Sequence, residues 1–339
     1  MDVTTRSLTN RDGMISTKFA EFIQSYHFQR RPSVRLALFW LLLSILPSTS
    51  YSQMSEPGST VIYIAGSGNK ALDLHITRLL TDEFGDEASL VPVRDDQSMI
   101  GTDSPIITIG PVAFSKIRQM NRDAPILALM VEKTFFQGYA TRTPGQVSAI
   151  YYDVPLLRQA LTGTTILPQA TQIALLASTE TVELYEDLVD QLAAYNLSAR
   201  VFITDSDEQL IPTLVRALTY GDFVLAASDD AIYNPRNIKH ILLTAYRRNK
   251  IVIGPSQAYV KAGVLASSYA PFPTIVAKAG TYVRAFLAER RFPEPDYPDE
   301  YRVEINQQVG RSLNIPLPER EWIAEQVNTM IISGREDSE

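Results

Sequence analysis

The chain has 339 residues, enough for two domains of ordinary size, with 45% hydrophobic and 20% charged residues, the balance of a globular protein rather than a disordered one. It holds no cysteine, which excludes disulfides, thiolate metal sites and a leader ending in a lipid-carrying cysteine. The formal net charge is −7, and because residues 1–52 carry six Lys/Arg against three Asp/Glu, the rest carries −10; an acidic chain without a basic stripe argues against nucleic acid as a partner.

Arg30, Arg31 and Arg35 precede the apolar run Leu36 to Leu46, which gives way to Pro47 and small polar residues ending Ser50-Tyr51-Ser52. A positive flank, a short apolar core and small residues at −3 and −1 predict a signal peptide over residues 1–52, with an extended n-region and cleavage near Ser52-Gln53. The run is short against the roughly 20 residues of a bilayer span. An uncleaved signal anchor is the alternative, and Met14 is an alternative start. Export to the periplasm removes the protein from ATP and nicotinamide cofactors, which favours a binding protein over a metabolic enzyme.

After a polar linker at 53–59, apolar strands alternate with amphipathic helices. Strands are predicted at Val61–Ala65, Leu90–Val93, Ile106–Ile109, Ile126–Val131 and Val147–Tyr151, with helices over 69–84 and 111–120. Asp153 is a candidate cap for the next helix, with Pro155 in its first turn. Strands at Gln172–Ala177, Val201–Thr204, Phe223–Ala227 and Ile251–Ile253 follow, separated by helices over 179–195 (Thr179 as cap), 207–220 and 235–249. Such alternation implies parallel sheets covered on both faces, and the pattern runs through twice. The Pro- and acid-rich segment 290–301 is a crossover.

In parallel sheets, ligands bind beyond the carboxyl ends of the strands. That rule selects the loops Gly66-Ser67-Gly68-Asn69, Gly110-Pro111, Glu132–Phe136, Ser178-Thr179 and Ser228-Asp229-Asp230, with Tyr233 one turn beyond the last. The first could present backbone N–H groups to an anion or be a plain strand–helix turn. The paired aspartates could meet an ammonium group or cap a helix. His75 and His240 are isolated, so no metal site is expected. No nucleophile–base constellation, GxSxG elbow or phosphate loop is present, so no catalytic residues and no cofactor are expected.

Four phrases, taken as an ordered set, resemble the substrate-binding proteins of ABC transporters, in the large family that includes aromatic-amino-acid binders. They are TILPQATQIALLAS (165–178), GDFVLAASDDAIYN (221–234), GPSQAYVKAGVLAS (254–267) and VEINQQVGRSLNIPLP (303–318). Asp229 falls on the family's aspartate and Asn306 on its closing asparagine. The resemblance spans residues 106–318. It implies an α/β protein of two doubly wound parallel-sheet lobes joined by a three-strand hinge, the type I periplasmic binding-protein arrangement. Lobe 1 would be 59–148 plus 266–300, and lobe 2 149–265 plus 301–331. The crossings would be Val147–Tyr151, Val264–Ser268 and Tyr301–Ile305.

Its implied function is a non-enzymatic solute-binding component that closes on a small polar or aromatic solute and serves an ABC permease in the inner membrane, as a monomer. The implied site is Ser67, Gly68, Asn69, Gly110, Phe135, Ser178, Thr179, Asp229, Asp230 and Tyr233. Asp229 would hold a cationic group, the Ser/Thr/Asn loops would give hydrogen bonds, and Phe135 or Tyr233 would stack. The sequence departs from the family in the short stretch between Val93 and Pro105 and at Ala277, where the family more often has glycine. The shortened first lobe favours an alternative, a binding-protein-like accessory or sensor subunit that contacts a membrane protein without transport.

Overall fold

Residues 60–93 and 103–336 are described by the computed structural model, so the leader expected over residues 1–52 lies outside the described residues, as does most of the short stretch after Val93. Among the described residues no helix is long and apolar enough to cross a membrane.

The chain builds two sheets of matching topology. The first contains β1 (Thr60–Ala65), β2 (Ala88–Pro92), β3 (Ile106–Ile109), β4 (Ile126–Val131) and β5 (Val147–Tyr151), all parallel, in the order β2-β1-β3-β4-β5. The second contains β6 (Gln172–Ala177), β7 (Ser198–Ile203), β8 (Phe223–Leu225), β9 (Ile251–Ile253), β10 (Ala266–Tyr269) and β11 (Arg302–Ile305). Its order is β7-β6-β8-β9-β10-β11, the same winding with one added edge strand, β11, antiparallel to β10.

Strands such as β3 (IITI) and β4 (ILALMV) are buried along nearly their whole length, because helices cover both faces of the sheet. On one face of the first sheet α1 (Lys70–Phe84) buries Ile76, Leu80 and Phe84, one residue per turn, against α9 (Phe272–Glu289), which contributes Ile275, Val283 and Phe286. On the other, α2 (Gly110–Met120) and α3 (Lys133–Ala140) contribute Phe114, Ile117 and Phe136. The second sheet is sandwiched in the same way. One face carries α4 (Leu156–Ile166), α5 (Glu186–Leu192) and α10 (Arg320–Glu336). The other carries α6 (Asp207–Tyr220), α7 (Asn237–Tyr246) and α8 (Gln257–Ala262). Each fully buried aliphatic side chain of this kind stabilises by about 1.5–3 kcal/mol.

The chain passes between the lobes three times: after β5 at residues 152–155, after β10 at Ala270-Pro271, and through 290–301 before β11. The expected crossing strands are therefore ordinary sheet members, and the passages are the short coils beside them. Residues 149–151, expected in the second lobe, pair with β4 in the first sheet. Residues 266–269, expected in the first lobe, pair with β9 and β11 in the second. The Pro-rich third passage lies along β5. The Tyr151 N–H donates to the Asp296 carbonyl (3.0 Å), and the Asp296 N–H to that of Ala149 (3.1 Å). Lys278 of α9 fastens this passage by ion pairs to Asp296 (2.7 Å) and Asp299 (2.9 Å).

Three local expectations change. Glu132–Phe136, expected as a loop, opens α3. The helix expected over 179–195 begins with a 3-10 turn at Val182–Tyr185 and is α-helical only over α5. Pro155, not Asp153, stands at the N-cap of α4 and makes no side-chain cap bond.

Candidate functional site

The carboxyl ends of both sheets face a cleft next to the passages. A cavity of about 400 Å³ lies there, within the range of small-molecule sites. Glu132, at the tip of β4, comes from the first lobe. Ser228 and Asp230, beyond β8, and Ser256, Gln257 and Tyr259, beyond β9, come from the second. Tyr152 and Asp153 of the first passage, and Tyr269, Pro271 and Phe272 around the second, line the floor.

Local backbone geometry brings these groups in. The β4–β5 register shifts between Leu129 and Val131, and Met130 has φ 59°. Positive φ in a residue with a side chain costs about 1 kcal/mol or more and persists where the surroundings impose it. The resulting bulge turns the strand tip just before Glu132, a common device beside functional sites. In the second lobe, Gly254 lets β9 end tightly: a Cβ there would lie 2.8 Å from Val264 Cγ2 and 2.9 Å from Tyr259 Cβ.

Three carboxylates face this space. Asp153 accepts hydrogen bonds from the Lys133 N–H (3.0 Å) and the Tyr297 hydroxyl (3.1 Å), which links the first and third passages. Burial raises its pKa, against the opposing pull of hydrogen bonds and of the Lys133 charge. The Glu132 pKa is also raised, first by partial burial and then by the charges of Asp153 and Asp230. The Asp230 charge thus acts on Glu132 across the cleft. Aromatic rings supply the rest: Tyr152 stacks on Phe272 at 6.5 Å and 18° between planes, and His75 meets Phe272 edge-on at 5.5 Å. The Tyr259 hydroxyl donates to the Tyr233 carbonyl (3.0 Å). Burial raises the Tyr152 and Tyr259 pKa values, aided for Tyr259 by Asp230, Asp229 and Glu132, so both keep neutral hydroxyls at neutral pH.

The residues expected at the site divide sharply. Asp230 lines the cavity. Asp229 does not: it is 2% exposed, and its carboxylate accepts from Thr181 Oγ1 (2.6 Å), the Ala231 N–H (2.9 Å) and the Ile232 N–H (3.3 Å). These bonds organise the loop. Tyr233 is 1% exposed in the α6–α8 core and contributes only its carbonyl, to Tyr259. Ser67, Gly68 and Asn69 form a self-satisfied turn. Ser67 N and Oγ (2.8 and 2.7 Å) and Gly68 N (3.1 Å) donate to the Asp73 carboxylate, and Asn69 caps α1 through the Ala71 and Leu72 N–H groups. The anion expected at this helix start is supplied by the chain itself.

Ser178 bonds Thr181 (2.9 Å), and Thr179 gives its N–H and hydroxyl to Asp205 (2.7 and 2.9 Å). Gly110 is the buried start of α2, with φ 84°. Phe135 packs edge-on against Phe114 at 5.9 Å. None of Ser67, Gly68, Asn69, Gly110, Phe135, Ser178, Thr179, Asp229 and Tyr233 is among the residues lining the cavity. The cavity lining comes instead from the tips of β4, β8 and β9 and from the first two passages. Sequence reasoning missed Tyr152, Tyr259, Tyr269 and Phe272; their signal is the clustering of aromatics around the passages, as in Tyr151-Tyr152-Asp153 and Tyr269-Ala270-Pro271-Phe272.

The overall fold is similar to that of solved structures. A substrate-binding protein with adhesive properties from Clostridium difficile, in its ligand-free, open form, matches with a TM-score of 0.64 at 16% identity, over 77% of this chain and 97% of that one. The fold is that of the type I periplasmic solute-binding proteins. Another protein with this binding-protein fold, the ABC domain in complex with L-Trp from Streptococcus pneumonia, matches with a TM-score of 0.52 at 17% identity and the same coverage. A conserved domain protein from Vibrio cholerae gives 0.52 at 16%, also over 77% and 97% of the two chains. No family model matches the sequence, and no curated protein does.

Proposed function

We propose that the protein is the extracytoplasmic solute-binding component of an ABC-type transporter. It performs no chemistry, captures a small polar or aromatic solute between its lobes as a monomer, and hands it to a permease in the inner membrane. The observation that carries this reading is the cavity of about 400 Å³, walled by polar and aromatic groups from both lobes and both of the first two passages. A solute bridging those walls stabilises the closed arrangement by its differential affinity for it. The aromatic floor suits a solute with a flat ring, and the neighbour crystallised with L-Trp holds one.

Any ligand that binds only the folded state raises the melting temperature by mass action. A thermal-shift screen of amino acids, amines, purines and sugars is expected to give at least one saturable rise. No response from any of them would leave the solute-binding reading without support, and the accessory or sensor reading would replace it.

A further inference from the structure

We infer that the solute is an organic cation: an amine on an apolar or aromatic body, carrying no carboxylate. This rests on the solute-binding reading above and narrows it. Glu132, Asp153 and Asp230 bring three carboxylates to the cavity, one from each lobe and one from a passage, and the lining contains no Lys, Arg or His. The basic residue beside Glu132, Lys133, extends to the exposed Asp187 (4.0 Å). Among the described residues, neither the Glu132 nor the Asp230 carboxylate has a hydrogen-bond or ion-pair partner, while Asp153 accepts from two neutral donors and also feels the Lys133 charge.

Like charges facing each other across a closing cleft repel, and the repulsion grows as water leaves. The Glu132 pKa is raised first by partial burial, with the Asp153 and Asp230 charges adding to it in the same direction. A cation between these carboxylates removes the repulsion and couples binding to closure. An α-carboxylate on the solute would add to it. A bare metal ion does not fit either: among the described residues no three Asp, Glu or His side chains converge as a metal-ligand set. The stacked Tyr152–Phe272 pair and Tyr259 instead offer ring faces, which attract ammonium groups and cover apolar bodies.

Matched solutes separate charge from shape. Calorimetric titration would compare tryptamine with L-tryptophan, and cadaverine with L-lysine, each pair sharing a side-chain body and differing by the carboxylate. At least one amine is expected to bind about tenfold or more tighter than its amino acid, the scale of one added charge interaction in a half-dry site. Glu132→Gln and Asp230→Asn should each weaken that amine about tenfold, while Asp82→Asn on the exposed side of α1 leaves it unchanged. An amino acid binding as tightly as its amine, or an amine indifferent to both cleft substitutions, would overturn the cation assignment while leaving a solute binder. No binding by either amine overturns the assignment as well; the solute reading itself falls only if the wider thermal-shift screen is also silent.

Discussion

The strand-tip loops at Gly66–Asn69 and at Ser178 to Asp229 are as polar as the wall formed by Glu132, Asp153 and Asp230, yet their atoms have different destinations. In the loops, each carboxylate is taken up by nearby donors: Asp73 by Ser67 and Gly68, Asp205 by Thr179, Asp229 by Thr181 and two backbone N–H groups. In the wall, Glu132 and Asp230 have no such donors. A polar group whose bonds are made within the fold is part of its architecture, and one left facing a cavity is available to a ligand. Adjacent aspartates, 229 and 230, fall on opposite sides of that line.

Substitution at those two positions is the strongest way to break the contrast. Asp229→Ala leaves three donors without their acceptor in a nearly buried loop and should cost about 2–4 kcal/mol by chemical denaturation. Asp230→Asn should change stability by no more than about 0.5 kcal/mol. Equal losses at both sites would erase the distinction. Asp73→Ala should give an intermediate loss of about 1–2 kcal/mol, with solute affinity unchanged; weakened binding there would return the β1 loop to the site.

The smallest expected effect is a pH-dependent gain. Burial, then Asp153 and Asp230, raise the Glu132 pKa above 4.5. Ionised Glu132 therefore destabilises the fold above its raised pKa, and that cost fades as the pH falls toward the ordinary carboxylate value. Glu132→Gln should melt slightly higher than the unsubstituted protein at neutral pH and equal to it near about pH 4. A gap that widens on acidification would contradict the assigned cause. Over the same window, protonation of Glu132 and Asp153 should weaken binding of a cationic solute.

The lobes were legible from the residues because continuous apolar runs such as ILALMV and IALLA leave few alternatives to a buried parallel strand. The rule that ligands sit beyond strand tips also pointed to Glu132–Phe136 and Ser228–Asp230, where part of the cavity wall lies. It could not rank the tips, because the distance of each loop from the passages depends on lobe packing. Nor could it tell Asp229 from Asp230, since the partner that claims Asp229, Thr181, is 48 residues away. The bulge at Met130 has no signature of glycine or asparagine, so the start of α3 read as a loop. The assignment of 149–151 and 266–269 to the wrong lobes has a similar origin: a passage of two to four residues leaves no trace in hydrophobic periodicity.

Hydrogen exchange with and without a saturating solute that raises the melting temperature tests the central claim most directly. Closure of two halves on a guest predicts slowed exchange on both cleft faces at once, at residues 132–135 in the first lobe and 228–232 and 256–260 in the second, together with the passages around 152–153 and 270–272. Slowing confined to one lobe, or centred on Gly66–Asn69 and Ser178-Thr179, would contradict it.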